Sequence, residues 1–292
     1  MNTNGQHSSN TEQHTSNNEQ QSSNTGSHSN NTEQHSNNTE QHSNTTKSKN
    51  NQITNTFRND NVDKTFLSYR GYGLLKSEFN YKIINDIKNE LTVSPKSLSS
   101  FGTSNVPKFN IYTESSKKLY IPKYYGLQKF GKPDINKILN GTDINLKFNG
   151  ELRENQLKPV EALLKAARDP IKMGGLINLD CGGGKTCCSL YIISKLKKKT
   201  LVIVHKDFLL KQWKERIEQF LPNARVGLIK AKIIDIEDKD IVVGSLQSIS
   251  MKEYDIGTFD EFGLIIGDEI HNFGAEVFSR ALFKTNFKYS LG

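Results

Sequence analysis

Residues 177–186 read Ile177-Asn-Leu-Asp-Cys-Gly-Gly-Gly-Lys-Thr186, and the chain continues Cys-Cys-Ser-Leu-Tyr-Ile-Ile-Ser-Lys-Leu196. The apolar start predicts a short strand over 177–179, and the three glycines predict a tight turn. The spacing from Cys187 to Lys197 predicts a helix, closed by Lys195, Lys197, Lys198 and Lys199, whose charge suits a helix C-terminus. Strand, glycine turn and helix in this order make a cradle for phosphate. Gly182, Gly183 and Gly184 let backbone N–H groups approach with no Cβ in the way, and the helix N-terminus adds partial positive charge. Lys185 can then reach the β- and γ-phosphates of a bound nucleotide, and the Thr186 hydroxyl can hold Mg²⁺. The pattern departs from Gly-x-x-x-x-Gly-Lys-Thr because Leu179 stands at the first glycine position. A glycine turn before a helix can also be a turn and nothing more; the Lys-Thr pair opening the helix favours the cradle.

Downstream, apolar and amphipathic runs alternate. Thr200–Val204 is a β-branched strand. Asp207–Phe220 reads as an amphipathic helix with Leu209, Trp213, Ile217 and Phe220 on one face, stopped by Pro222. Residues 226–229, 241–243 and 264–266 supply further apolar strands. Near-continuous apolar strands alternating with helices predict an α/β fold: a parallel sheet covered on both faces, with ligands outside the carboxyl ends of its strands. At one such end stands Leu264-Ile-Ile-Gly-Asp-Glu-Ile-His271. Asp268 can hold Mg²⁺ through water, and Glu269 can polarise the water that attacks a γ-phosphate. An Asp-Glu pair after a strand is common in purely structural settings; its pairing with the glycine turn in one sheet gives it meaning.

Upstream the composition changes. After Met1 no aliphatic or aromatic residue occurs until Ile53, and residues 30–43 repeat Asn-Asn-Thr-Glu-Gln-His-Ser twice. A segment with nothing to bury cannot offset its ordering entropy, so residues 1–56 are expected to be a disordered low-complexity tail. Five of the seven His lie in it, about seven apart and without a Cys or carboxylate cluster, which favours a solvated spacer over a metal site. The tail carries Glu12, Glu19, Glu33 and Glu40 against Lys47 and Lys49. With the whole chain at +8, the remainder therefore carries +10. Residues 57–140 are expected to form a small mixed α/β domain. Leu74-Leu75, Phe79, Ile83-Ile84 and Ile87 recur at roughly helical spacing there, and Leu91-Thr-Val93 runs into Pro95. Residues 117–132 interleave five Lys with four aromatic residues and no acid. Such a stretch either stacks bases and tracks phosphates or is a short strand and turn whose rings pack inward while Lys faces water.

These residues resemble a family. The Gly182-Gly-Gly-Lys-Thr186 turn and Asp268-Glu-Ile-His271 are similar to motifs I and II of DExH-type superfamily 2 helicases. Leu152-Arg-Glu-Asn-Gln156 resembles the element that opens such domains. Val202-Ile-Val-His-Lys-Asp-Phe-Leu-Leu-Lys-Gln-Trp213 resembles motif Ia, and Val242-Val-Gly-Ser-Leu-Gln-Ser248 resembles motif Ib. The subgroup resembled comprises the xeroderma-group-B-like, UvsW-like and poxvirus-type transcript-release helicases of large DNA viruses. Residues 119–130 also resemble the lead-in of its viral members. The resemblance implies a single RecA-like P-loop lobe over 141–292 that binds ATP with Mg²⁺. Lys185, Asp268 and Glu269 are its catalytic residues. Arg153, Gln156, Cys181, Gly182, Gly183, Gly184, Lys185 and Thr186 bind ATP, with the adenine contact at Gln156. Thr186 and Asp268 serve the metal, and His271 couples the nucleotide site to the motor. Lys206, Ser245 and Gln247 are implied nucleic-acid contacts, although His205-Lys206 departs from the Pro that many relatives carry. Trp213 reads as core rather than as a base-stacking residue, and Cys187 and Cys188 as small packing residues.

The basic body implies a nucleic-acid partner, and the subgroup implies DNA rather than RNA. No run reaches the ~20 apolar residues of a membrane span. No secretory signal opens the chain, and three Cys, two adjacent, form no disulfide framework. A reducing intracellular compartment is expected (virion or host cytoplasm for a viral chain). The sequence ends at Lys288-Tyr-Ser-Leu-Gly292, before motif III and the arginine-bearing second RecA-like lobe of the family. A partner lobe in cis or trans is therefore expected, and the chain alone is expected to turn ATP over slowly or not at all. Two alternatives stay open: a non-catalytic nucleic-acid- or partner-binding module, and a small metabolic P-loop kinase, which leaves motifs Ia and Ib without a role.

Overall fold

The first ordered layer is a small, largely antiparallel sheet. In the computed structural model, which describes residues 63–94, 108–180, 182–271, 276–285 and 287–292, β1 (Thr65–Ser68) and β2 (Gly71–Leu75) form a hairpin. Helix α1 (Tyr81–Glu90) follows, its Asn80 cap accepting from the Lys82 amide at 2.9 Å. Then come β3 (Thr92–Val93), β4 (Phe109–Asn110), β5 (Thr113–Glu114), β6 (Lys118–Ile121), helix α2 (Lys123–Phe130) and β7 (Ile135–Asn136). The sheet order is β5-β6-β2-β1-β7, with β3 and β4 pairing separately. Leu119 and Ile121 of β6 turn inward with Leu67, Leu74, Ile84 and Ile87, while Lys118 and Tyr120 alternate to the other face. The tail and Cys181 lie outside the described residues.

Two expectations for this region are corrected. Leu74 and Leu75 belong to a strand, because Leu74 pairs with Thr65 on one side and Leu119 on the other, and the helix starts only at Tyr81. Residues 117–132 fold as β6 and α2 rather than as a strand and turn. Nor do all their lysines face water. Lys123 is buried, and its Nζ donates to the carbonyls of Phe287 at 3.0 Å and Lys288 at 2.8 Å. Burial pushes its amine down to about 7.

The second layer carries the predicted motifs. In chain order it comprises α3 (Glu154–Arg168), β8 (Gly174–Gly175), α4 (Lys185–Leu196), β9 (Thr200–Val204), α5 (Asp207–Phe220), β10 (Val226–Lys230), β11 (Ile233–Asp235), β12 (Ile241–Ser245), α6 (Leu246–Met251), β13 (Leu264–Gly267), α7 (Glu276–Lys284) and β14 (Tyr289–Leu291). The seven strands lie in the order β11-β10-β12-β9-β13-β14-β8 and run parallel, except for the antiparallel edge strand β11. Every residue of β9 is buried, as a strand covered on both faces requires. Val202 and Val204 pack towards Leu190, Ile193, Trp213 and Ile217 of α4 and α5. Leu201 and Ile203 pack the other way, against Leu246, Ile249, Phe262 and Ala281. Both layers belong to one unit, Phe57–Gly292.

The strand expected at 177–179 is displaced. The ladder instead uses Gly174 and Gly175, paired to Ser290 and Leu291. Gly174 has φ +143°, and a Cβ there would run into the Ser290 carbonyl, so only glycine permits this approach. Strand β8 is an edge with β14 as its one neighbour. The last bond between them runs from Ile177 N to Gly292 O at 2.8 Å, and residues 178–180 then leave the sheet towards the glycine turn. Apolar residues at 177 and 179 reflect packing against the core under α4 rather than strand pairing.

Candidate active site

The register of the sheet brings the predicted motifs to one edge. Gly267 lies opposite Ile203, Ser245 opposite Val204, and Leu291 opposite Gly175. The segments leaving β8, β9, β12 and β13 therefore all emerge at the carboxyl end, where parallel sheets hold ligands.

The glycine turn is held from two sides. Gly182 and Gly184 adopt φ +76° and +85°, the Gly183 amide donates to Asp180 O at 2.9 Å, and the Cys188 amide returns to Gly184 O at 3.0 Å. Gln156 supplies the second tether. Its Oε1 accepts from the Arg153 amide at 2.9 Å, closing the first turn of α3, while its Nε2 donates to Gly183 O at 2.8 Å. A Cβ on Gly184 would overlap that Nε2. Gln156 is thus buried, with both ends of its carboxamide engaged by backbone. Lys185, the first residue of α4, rests its Nζ on Leu179 O at 3.0 Å.

The acidic pair follows β13. The Asp268 amide donates to Ile203 O at 2.9 Å, which extends the ladder with β9 by one residue and fixes where the side chain starts. Glu269 then turns into the left-handed region at φ +52°, a conformation that costs a non-glycine residue of order 1 kcal/mol and concentrates at functional sites. Its Oε2 lies 3.4 Å from Nδ1 of His271. Asp268 makes a contact the sequence did not announce: Trp213 of α5 donates from Nε1 to Oδ2 at 2.8 Å. Trp213 is buried as expected of a core residue, but its inward face carries a donor that also needs an acceptor. A lone buried Trp on the helix after a strand was the available signal; its partner, 55 residues away, was not readable from spacing.

Lys185, Thr186, Trp213, Asp268, Glu269 and His271 line one cavity of about 240 Å³. It therefore puts an ammonium, a hydroxyl and two carboxylates around a space able to hold phosphates and a hard cation. Among the described residues no group of three His, Cys, Asp or Glu forms a self-sufficient metal cage. A hydroxyl with one carboxylate, completed by phosphate oxygens and water, is the donor set that Mg²⁺ takes. Arg153, Gln156 and the three glycines are not among the walls. Lys206, Ser245 and Gln247 sit apart from the cavity, at the ends of β9 and β12. Lys206 is the exposed N-cap of α5, Ser245 closes β12, and Gln247 is exposed on α6. Cys188 lies in the core, and burial pushes its thiol up to about 11, which leaves it an inert packing group.

Comparison with known proteins agrees with this geometry. The family described as "Type III restriction enzyme, res subunit" matches residues 149–292. A protein of Acanthamoeba polyphaga mimivirus, provisionally named an ATP-dependent RNA helicase (L396), is 35% identical over 233 residues, covering 78% of this chain and 44% of the relative. The chain belongs to the DExH-type superfamily 2 helicases. The DNA 3'-5' translocase XPB2 of Sulfurisphaera tokodaii is a further relative, 34% identical over 148 residues, which are 50% of this chain and 31% of that protein. The chain thus spans less than half the length of either helicase relative. The UvsW helicase of bacteriophage T4 superposes with a TM-score of 0.49 at 16% identity, over 73% of this chain and 85% of that one. Within this family the seven-stranded layer is the N-terminal, motif I and II lobe. Among the described residues no helix is long and apolar enough to cross a membrane.

Proposed function

We propose that this lobe binds ATP with Mg²⁺ and hydrolyses it to drive movement along nucleic acid. The observation that carries the reading is the single cavity shared by Lys185, Thr186, Asp268 and Glu269. In this reading Lys185 leaves the Leu179 carbonyl for the β- and γ-phosphates, and the amides of the glycine turn, Cys181 to Gly184, hold the phosphate oxygens. Thr186 and Asp268 hold Mg²⁺, which neutralises phosphate charge when bound. Glu269 orients and polarises the attacking water, since phosphoryl transfer depends mainly on positioning and electrostatics. Arg153 and Gln156 take the adenine side, with Gln156 turning from Gly183 to the base, and His271 passes the state of Glu269 to the rest of the motor. Residues 141–292 act as the ATP-binding domain and 57–140 as a separate small domain braced against it. A second RecA-like lobe, in cis or trans, supplies the remaining catalytic groups.

Lys206, Ser245 and Gln247 form the proposed nucleic-acid edge, and DNA is the proposed track. The named DNA translocase among the relatives and the +10 charge outside the tail support it; the RNA-named viral relative makes RNA the comparison arm. The test is binding of a fluorescent ATP analogue with Mg²⁺. Losing the Lys185 ammonium removes charge-assisted hydrogen bonds worth about 1.5–3 kcal/mol, so Lys185→Ala should weaken binding about tenfold or more. Unchanged affinity, with nucleic-acid binding indifferent to ATP and to Glu269→Gln, would favour the non-catalytic alternative.

A further inference from the structure

The hydrogen bond from Trp213 to Asp268 has no place in the chemistry above, yet it joins the nucleotide cavity to a different helix. Trp213 is 2% exposed and packs with Leu190, Ile193, Val202 and Val204, while its indole edge reaches the cavity wall. Its Nε1–H meets Oδ2 of Asp268 at 2.8 Å, good geometry for a charge-assisted bond. The Asp268 backbone is fixed independently by its amide bond to Ile203 O. With the main chain and one carboxylate oxygen both anchored, rotation of the carboxylate about its last two bonds is suppressed.

Resting on the ATP–Mg²⁺ reading, we propose that Trp213 is the positioning residue for the metal-binding carboxylate. It holds the Asp268 carboxylate in the orientation that receives Mg²⁺. The chemistry of the donor matters. An indole N–H donates, never accepts, and carries no net charge. It fixes the carboxylate without neutralising it, whereas a lysine or arginine at the same place would compete with the cation for its negative charge. Lys185, the one lysine or arginine among the described residues lining the cavity, is parked on the Leu179 carbonyl instead. Because Trp213 is the chain's single tryptophan, its emission is also a built-in report on the charge state of Asp268.

The experiment uses the 292-residue chain and three proteins: wild type, Trp213→Phe and Asp268→Asn. Phe keeps most of the ring volume and removes only the donor; thermal unfolding without nucleotide checks that it folds. Binding of a fluorescent ATP analogue is titrated with Mg²⁺. Partners that orient a metal ligand from outside its shell are typically worth about 10- to 100-fold in metal affinity. Trp213→Phe should therefore raise the half-saturating Mg²⁺ concentration about tenfold while leaving metal-free nucleotide affinity unchanged. Indole emission of the wild type should shift when Mg²⁺ is added with nucleotide, and Asp268→Asn should shift it without metal and abolish the Mg²⁺ response. A purely structural Trp213 predicts equal losses with and without metal, and emission blind to Asp268→Asn. If the wild type binds the analogue normally but its Mg²⁺ dependence matches that of Trp213→Phe, the positioning role is overturned and the ATP reading stands. If the wild type binds no nucleotide at all, the ATP reading falls and takes this one with it. Should Trp213→Phe fail to fold, the Asp268→Asn emission comparison decides alone: an unmoved spectrum overturns the proposal.

Discussion

The two sheets solve the problem of burial differently. In the seven-stranded layer, β9 is buried along its whole length, with helices on both faces. In the five-stranded layer, β6 alternates, with Leu119 and Ile121 inside and Lys118 and Tyr120 outside. Doubly covered strands give a plate whose free feature is its edge, and the predicted motifs collect at that edge. The singly covered sheet keeps a half-exposed face where Arg70 packs over Tyr69 and Tyr120, and Lys118 over Phe66. The seven-stranded layer tolerates almost no change inside; the five-stranded layer tolerates change on one side.

The sharpest way to break this contrast is inside the plate. Leu201→Ala empties a fully buried site and should cost roughly 2–5 kcal/mol in chemical denaturation. A cost below about 1 kcal/mol would mean that the plate can collapse around a cavity and is not rigid.

Between the layers, Lys123→Met leaves the Phe287 and Lys288 carbonyls without their donor, at a cost of about 1–3 kcal/mol. The pH dependence has a definite sign. Burial lowers the folded-state amine to about 7, while an unfolded lysine titrates near ~10.4. Below 7 both states are protonated and the burial penalty is present in full. As pH rises from 7 towards ~10.4 the folded state binds fewer protons, and wild-type stability gains relative to the variant. A wild-type minus variant difference that stays flat from pH 7 to 10 would show that Lys123 keeps an ordinary affinity for its proton.

What could be read in advance followed the same divide. Helix Asp207–Phe220 was legible to the residue because its apolar spacing, its acidic first turn and Pro222 agree. Strand Thr200–Val204 was legible because five apolar or β-branched residues in a row suit a strand hidden on both faces. The glycine turn and Asp268-Glu269 were legible because their chemistry is local in sequence. In the smaller sheet Leu74 and Leu75 misled, since short half-buried strands carry too few residues to separate a period of 2 from one of 3.6. Lys123 misled for another reason, and Trp213, rightly read as core, hid its bond to Asp268 for the same one. Each has a role set by long-range partners, 164 and 165 residues away for Lys123 and 55 for Trp213, and no local pattern records that.

At the edge the expected effects are smaller. Lys206→Ala should weaken nucleic-acid binding alike across sequences and lower the slope of log affinity against log salt by about 1; an unaltered slope would remove Lys206 from the phosphate contacts. Smallest of all, Tyr120→Ser on the half-exposed face should cost no more than about 1 kcal/mol. A larger loss would make that face part of a core and erase the distinction between the two sheets.

Strand β14 sits between the strand that leads to the glycine turn and the strand that ends in the acidic pair. Two neighbour steps of a sheet measure about 9.5 Å. The jaw in which a nucleotide would be held is therefore gauged by main-chain hydrogen bonds. Side-chain variation can change the grip of this vice but not its opening, and evolution of the pocket must work within a calibre that the ladder has already set.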